Sequence, residues 1–110
     1  MITTTSITTA ERDLANRVIT RIARSANVTP ARITSRHRDR RTARARQLCM
    51  ALLRTASDLT FEQIGELFHG RDHGTVIHAC RVVADLRRTD LAYNRFFTFV
   101  LAELTRTTDH

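Results

Sequence analysis

The sequence predicts an all-α fold of about six helices, and three observations predict it. Two capping boxes and a Thr-Pro pair open helical stretches, apolar residues recur at three- and four-residue spacing, and chain breakers are scarce. The 110 residues hold one Pro, at position 30, and three Gly, at 65, 70 and 74. So few turn formers disfavour a β-sandwich and suit helices joined by short connections. The length fits one compact domain and is too short for two. Apolar residues make up 42%, enough for a modest core. The expected organisation is a disordered tail over 1–8, a single helical domain over 9–104, and a frayed end over 105–110.

Thr8-x-x-Glu11 is a capping box, and the helix it opens turns Leu14, Val18, Ile22 and Ala26 inward before ending near Asn27. Thr29-Pro30 reads as an N-cap followed by Pro at the first helical position. The short helix it begins spans about 30–35, with Ile33 buried. Residues 36–41, Arg-His-Arg-Asp-Arg-Arg, have no apolar face and read as a loop or a helix entry. A third helix over about 42–55 buries Leu48, Cys49, Leu52 and Leu53 and carries Arg44, Arg46, Gln47 and Arg54 on its other side. Thr60-x-x-Gln63 is the second capping box and opens two turns ending at Phe68, with Ile64, Leu67 and Phe68 inward. A tight turn comes next, with Gly70 as its left-handed residue. The fifth helix, from 72 or 73 to 88, buries Val76, Ile77, Cys80, Val83 and Leu86. The last, about 90–104, is amphipathic through Leu91, Phe96, Phe97, Val100, Leu101 and Leu104, and Phe99 falls off that stripe. There is no repeat.

Charge placement narrows the function. All 18 basic residues are Arg, with no Lys, and the net charge is +7. Positions 32, 36, 38, 40, 41, 44, 46 and 54 are Arg against a single acid, Asp39, so this stretch holds the whole excess. Outside it Arg and acidic residues balance. A neutral body with one basic strip suits a polyanion site; a solvated face with the Arg bias of a GC-rich genome is the plainer reading. The N-terminus lacks the basic and apolar regions of a signal peptide, and no apolar run approaches the ~20 residues that span a bilayer. A cytoplasmic, nucleoid-associated protein is expected, with Cys49 and Cys80 as reduced core thiols. No nucleophile–base set is visible, and His73 and His78, five apart, do not share a helix face as ligand pairs do. Neither an enzyme, a metal nor a cofactor is expected.

The stretches 61–68 and 72–88, joined by a short turn containing Gly70, have helix-turn-helix form. Gly65 lies mid-helix, where it costs about 1 kcal/mol relative to Ala, so another demand must outweigh that cost. Close crossing of the second helix would supply it, as would tight packing in an ordinary αα-hairpin. The stretch from the turn onward is more specific. Gly70-Arg71-Asp72-His73-Gly74-Thr75-Val76-Ile77-His78-Ala79-Cys80 resembles the signature of the C-terminal DNA-binding domain (domain IV) of DnaA, the bacterial replication initiator. Ala43-Arg44-Ala45-Arg46-Gln47-Leu48-Cys49-Met50-Ala51-Leu52 matches that domain's second hallmark, and Ile64-Gly65 its scaffold helix. The similarity runs from about 28 to 86.

The resemblance implies a DnaA domain IV, Trp-repressor-like fold in a stand-alone DnaA-like protein that binds double-stranded DnaA-box-like sites. Asp72, His73, Thr75 and Ala79 occupy positions that meet base edges in the major groove, with Gly74 among them; Asp72 is also the natural helix N-cap. Arg38 matches the arginine that enters the adjacent minor groove. Arg46, Gln47 and Arg54 match backbone-holding positions, and Arg36, Arg40, Arg44, Thr60, Arg71 and His78 are expected to join them on phosphates. The family normally has Thr where this chain has Gly74, which implies an altered or relaxed sequence preference. The family's ATPase module needs a P-loop Lys, and this sequence has no Lys. Three roles are compatible with the resemblance: occupancy of DnaA-box-like sites that regulates replication initiation or transcription; an adaptor or inhibitor contacting DnaA or other replication proteins, through the aromatic last helix; or a binding subunit of a phage or mobile element. A monomer is the expectation, because no heptad seam is present.

Overall fold

A computed structural model describes residues 6–106, and it is helical throughout. The helices are α1 (Thr9–Ala26), α2 (Pro30–Thr34), α3 (Arg40–Ala56), α4 (Phe61–Leu67), α5 (His73–Thr89) and α6 (Leu91–Arg106). Both capping boxes form. The Thr8 hydroxyl accepts from the Glu11 amide at 3.0 Å while the Glu11 carboxylate accepts from the Thr8 amide at 2.9 Å. Thr60 and Gln63 repeat the exchange at 3.1 and 2.9 Å. The Thr29 hydroxyl caps α2 by accepting from the Arg32 amide, with Pro30 in the first turn.

Buried α3 organises the rest by packing against all five other helices. Ala45, Leu48, Cys49, Leu52 and Leu53 are all under one-tenth exposed. Val18 and Ile22 of α1, Ile33 of α2, Ile64 and Phe68 at α4, Val76 and Val83 of α5, and Phe97 and Val100 of α6 close the core around it. In α1 the buried stripe is turned slightly from the expected one. Ala15, Ile19 and Ala23 are buried, and Leu14 and Ala26 only partly. In α5 Ile77, Cys80 and Leu86 are half-buried rather than buried, and Leu91, expected inward on α6, is exposed. Ile7, inside the expected tail, packs into the core, and α6 continues past the expected end to Arg106. The remainder of both expected tails, 1–5 and 107–110, lies outside the described residues.

α3 starts earlier than its apolar pattern implies, and Asp39 is the reason. One Asp39 oxygen accepts from both the amide and the hydroxyl of Thr42, at 3.1 and 2.9 Å. The other accepts from the Arg32 guanidinium at 2.9 Å. The lone acid of the basic strip is therefore an N-cap that satisfies an orphan amide and draws Arg40 and Arg41 into the helix.

The α4–α5 turn folds directly over Gly65. Amides of Phe68 and Arg71 both donate to the Gly65 carbonyl at 3.0 Å. A Cβ on Gly65 would fall inside the radius of the Arg71 carbonyl oxygen and 3.1 Å from its carbon. The demand on Gly65 thus comes from the turn's own backbone. His69 and Gly70 are both left-handed, at φ 65° and 69°; only Gly70 is free of a Cβ penalty there. Gly65→Ala is expected to lower unfolding free energy by about 1–3 kcal/mol, although an unobstructed mid-helix replacement would raise it by about 1 kcal/mol. Urea denaturation measures the difference, and a variant as stable as the parent would refute this account of the turn.

Candidate nucleic-acid interface

The exposed start of α5 is built around its cap. One Asp72 oxygen accepts from the Thr75 amide at 3.1 Å and from the Thr75 hydroxyl at 2.8 Å. These two bonds, hydroxyl first, hold the Asp72 carboxyl below its ordinary range. The Thr75 hydroxyl proton is thereby engaged, while its methyl group and remaining lone pair stay available. His73, Gly74, Thr75 and His78 are exposed. A Cβ on Gly74 would touch only the Asp72 carboxylate, at 3.6 Å, so the position accepts a side chain. Ala79 corrects the sequence expectation. It is 1% exposed, packed in the core with Val76 and Val83, and its methyl cannot meet a base.

Arg46 is a second correction. It is 5% exposed, and its guanidinium serves the protein's own backbone. Its Nε donates to the Ile33 carbonyl at 2.7 Å, and one terminal nitrogen donates to the carbonyls of Arg32 and Ser35, each at 3.1 Å. The expected phosphate contact is thus a brace across the C-terminal end of α2, where helix carbonyls lack partners. Burial and then the nearby Arg71 charge push the Arg46 pKa down. The Arg71 guanidinium reaches the same Ser35 carbonyl at 2.9 Å, and its Nε is buried without a hydrogen-bond partner.

That shared carbonyl sets the geometry of the site. Ser35 opens the basic loop, and its hydroxyl meets the His37 ring nitrogen Nδ1 at 2.7 Å and accepts the His37 amide at 3.1 Å. Arg71 immediately precedes the α5 cap. The loop bearing Arg36 and Arg38 and the start of α5 are therefore fastened to each other. Arg36, Arg38, Arg40 and Arg41 are exposed, whereas the Asp39 carboxyl is held far below the usual carboxylate range, chiefly by its bond from Arg32.

The other expected contacts divide into two places. Arg54 donates to the Leu59 carbonyl at 2.9 Å and stacks on Phe61 with 4.1 Å to the ring centre, beside Thr60 at the start of α4. Arg44 and Gln47 instead line a cleft of about 830 Å³ with Tyr93, Phe96 and the second half of α5. Arg40 and Arg41 line it as well. Arg81 was missed by sequence reasoning. It is exposed three positions beyond His78, and the i, i+3 face running from Thr75 and His78 points to it.

The model of the bacterial DnaA helix-turn-helix matches residues 15–83, more than half of the chain. The chain belongs to that family. It is 45% identical over 71 residues to the chromosomal replication initiator DnaA of Nitrosospira multiformis, an overlap covering 64% of this chain and 15% of that protein. With DnaA of Psychromonas ingrahamii it shares 50% identity over 56 residues, covering 51% of this chain and 12% of the relative. The chain thus spans well under a fifth of these relatives. A solved structure described as a DNA replication initiation factor superposes with a TM-score of 0.78 at 28% identity, covering 88% of this chain and 30% of that one. The DnaA helix-turn-helix signature is therefore carried on the family's own fold.

Burial raises the thiols of Cys49 and Cys80 above their ordinary pKa, which makes both poor nucleophiles. Among the described residues, no group of three His, Cys, Asp or Glu side chains could hold a metal ion. No described helix is long and apolar enough to cross a membrane. Arg46→Ala removes the charged donor shared by the Arg32, Ile33 and Ser35 carbonyls. The Arg32 carbonyl keeps the Ser35 amide and hydroxyl, and the Ser35 carbonyl keeps Arg71. The variant is expected to lose about 2–4 kcal/mol of stability, since bonds from charged donors are each worth about 1.5–3 kcal/mol. Urea denaturation of the variant tests this; a loss under about 1 kcal/mol would return Arg46 to the surface charges.

Proposed function

We propose that the chain binds double-stranded DNA with sequence preference, at DnaA-box-like sites, and by occupying them regulates replication initiation or transcription without hydrolysing nucleotide itself. The hydrogen bond from Arg71 to the Ser35 carbonyl carries the proposal. It keeps the loop that presents Arg38 beside the helix start that presents His73 and Thr75. In this reading Arg38 enters a narrow minor groove, where negative potential is concentrated. His73 and Thr75 meet base edges in the adjoining major groove, and the Thr75 methyl supplies an apolar contact to thymine. Arg71, expected among the phosphate contacts, is instead engaged on the Ser35 carbonyl. Arg36, Arg40, Arg54, Thr60 and His78 hold phosphates, and Arg81 extends that row along α5. Such contacts fix register and affinity and carry little sequence information. Arg44 and Gln47, beside the far half of α5, contribute at the flank of the site. The chain acts as a nucleoid-associated monomer.

A second reading has one observation in its favour. Phe99 is 58% and Leu91 63% exposed on α6, an apolar surface that suits contact with a replication protein.

Fluorescence anisotropy on a DnaA-box duplex and a scrambled duplex across a salt series separates the two readings. Direct binding gives a steep loss of affinity with salt, and Arg36→Ala flattens the slope by about 0.9 on both duplexes alike. His73→Ala and Thr75→Ala chiefly erode the preference between duplexes, each by about 1–3 kcal/mol. A folded chain that binds neither duplex at low salt leaves only the protein-contact reading. Gly74→Thr is expected to fold normally and sharpen preference for the box; an unchanged ratio of the two affinities would remove Gly74 from the account of specificity.

A further inference from the structure

We infer that Arg71 is a positioning residue that couples the two DNA-reading parts of the protein: by holding the Ser35 carbonyl it sets the register of the Arg38 loop against the start of α5. The inference rests on the DNA-binding reading above and adds an energetic link between its halves.

The contacts form a continuous strut. At one end, the Arg71 amide donates to the Gly65 carbonyl, so its main chain is fixed to α4. Its side chain then spans to Ser35, a residue 36 positions away in sequence. At the other end Arg46, rooted in the centre of α3, holds the same carbonyl together with those of Arg32 and Ile33. Two guanidiniums converge on one neutral oxygen with no carboxylate between them, so mutual repulsion opposes the arrangement and geometry has to maintain it. Arg71 is the more replaceable of the two, being half-buried where Arg46 is buried.

Both lever arms are short. Asp72, the α5 cap, comes directly after Arg71. Arg38 lies three residues beyond Ser35, so its Cα cannot be more than about 11 Å from that of Ser35. A shift at the Ser35 carbonyl is therefore passed to both reading surfaces. A helix and a loop that met DNA independently would lose affinity independently; joined by a strut, loss of one contact degrades the placement of the other. Arg is suited to this position because its planar fork has a fixed direction, which an ammonium on a flexible stem lacks.

A double-variant cycle tests the strut. Preference for the box over the scrambled duplex is measured by anisotropy for the parent, Arg38→Ala, Thr75→Ala and the pair, each also carrying Arg71→Lys and, separately, Arg71→Met. In the Arg71 chains, the paired loss should depart from the product of the single losses by at least about threefold. In the Arg71→Met chains the product rule should hold within about twofold. Arg71→Lys, which keeps the charge, should retain most affinity for both duplexes while losing the departure. A product rule already obeyed with Arg71, or a departure that survives in both substituted backgrounds, overturns the inference. Equal binding of both duplexes by every chain would instead overturn the base-reading proposal itself, and the coupling with it.

Discussion

The close seat of the α4–α5 turn on Gly65 is the constraint from which the site is assembled. Because no Cβ intervenes, the Arg71 carbonyl lies against the Gly65 backbone while the Arg71 amide bonds to the Gly65 carbonyl. That fixes where α5 begins. It also fixes the direction of the Arg71 side chain, which crosses to Ser35 and fastens the basic loop. A helix-turn-helix whose turn stood a methyl group further out would displace the cap at Asp72 and release the loop together. One missing methyl on a seven-residue helix thus positions two segments separated by some thirty residues of sequence.

Electrostatics explains why this arrangement needs Arg. A strip of excess positive charge repels itself, and the fold handles the repulsion in three ways. Asp39 neutralises Arg32 while capping α3. Arg54 lies over the face of Phe61, where a guanidinium keeps its charge and gains the ring's negative face. Arg46 is taken inside and surrounded by carbonyl dipoles, an arrangement that compensates a buried cation only when several donors are matched at once. A Lys ammonium offers no fixed fork for three carbonyls on one helix end. Of the strip's arginines left exposed, those at 36, 38, 40 and 41 cluster at the loop and the start of α3, so much of the external field is concentrated there. Arg44 and Arg54 are exposed further along α3.

Most of the fold was legible because its start signals are local. Thr8, Thr60 and Thr29-Pro30 act on amides within three residues, and a sequence displays such partners side by side. Asp39 is equally local, paired to Thr42 three residues on, but the arginines around it leave the stretch without an apolar face, so no amphipathic pattern marks the helix start there. His69 in the left-handed region was not legible, since the neighbouring Gly70 satisfies the same turn signal alone. The site was less readable than the fold, and its two corrections have one cause. Ala79 stands on the face defined by Val76 and Val83, and Arg46 stands three and seven positions before Cys49 and Leu53. On sequence, Arg46 falls on the outer side of α3 and Ala79 off the buried stripe of α5, and family resemblance places both on DNA. The three-, four- and seven-residue spacing to those core neighbours nevertheless turns both inward. Burial obeys the periodicity.

The three glycines now separate by what the protein itself requires. Gly65 answers a backbone approach and Gly70 a left-handed φ; neither leaves room for choice. Gly74 answers neither. Its backbone is ordinary helix, and a side chain there would meet only the Asp72 carboxylate at ordinary contact distance. An exposed glycine in the first turn of a helix costs about 1 kcal/mol of helix stability relative to Ala, with no packing to offset it. The fold offers no reason for this residue, and the proposed function supplies one in what the exposed start of α5 faces. In the proposed reading that partner is the floor of a major groove, where removing a hydroxyl and a methyl lowers discrimination among bases and lets the helix start approach more closely.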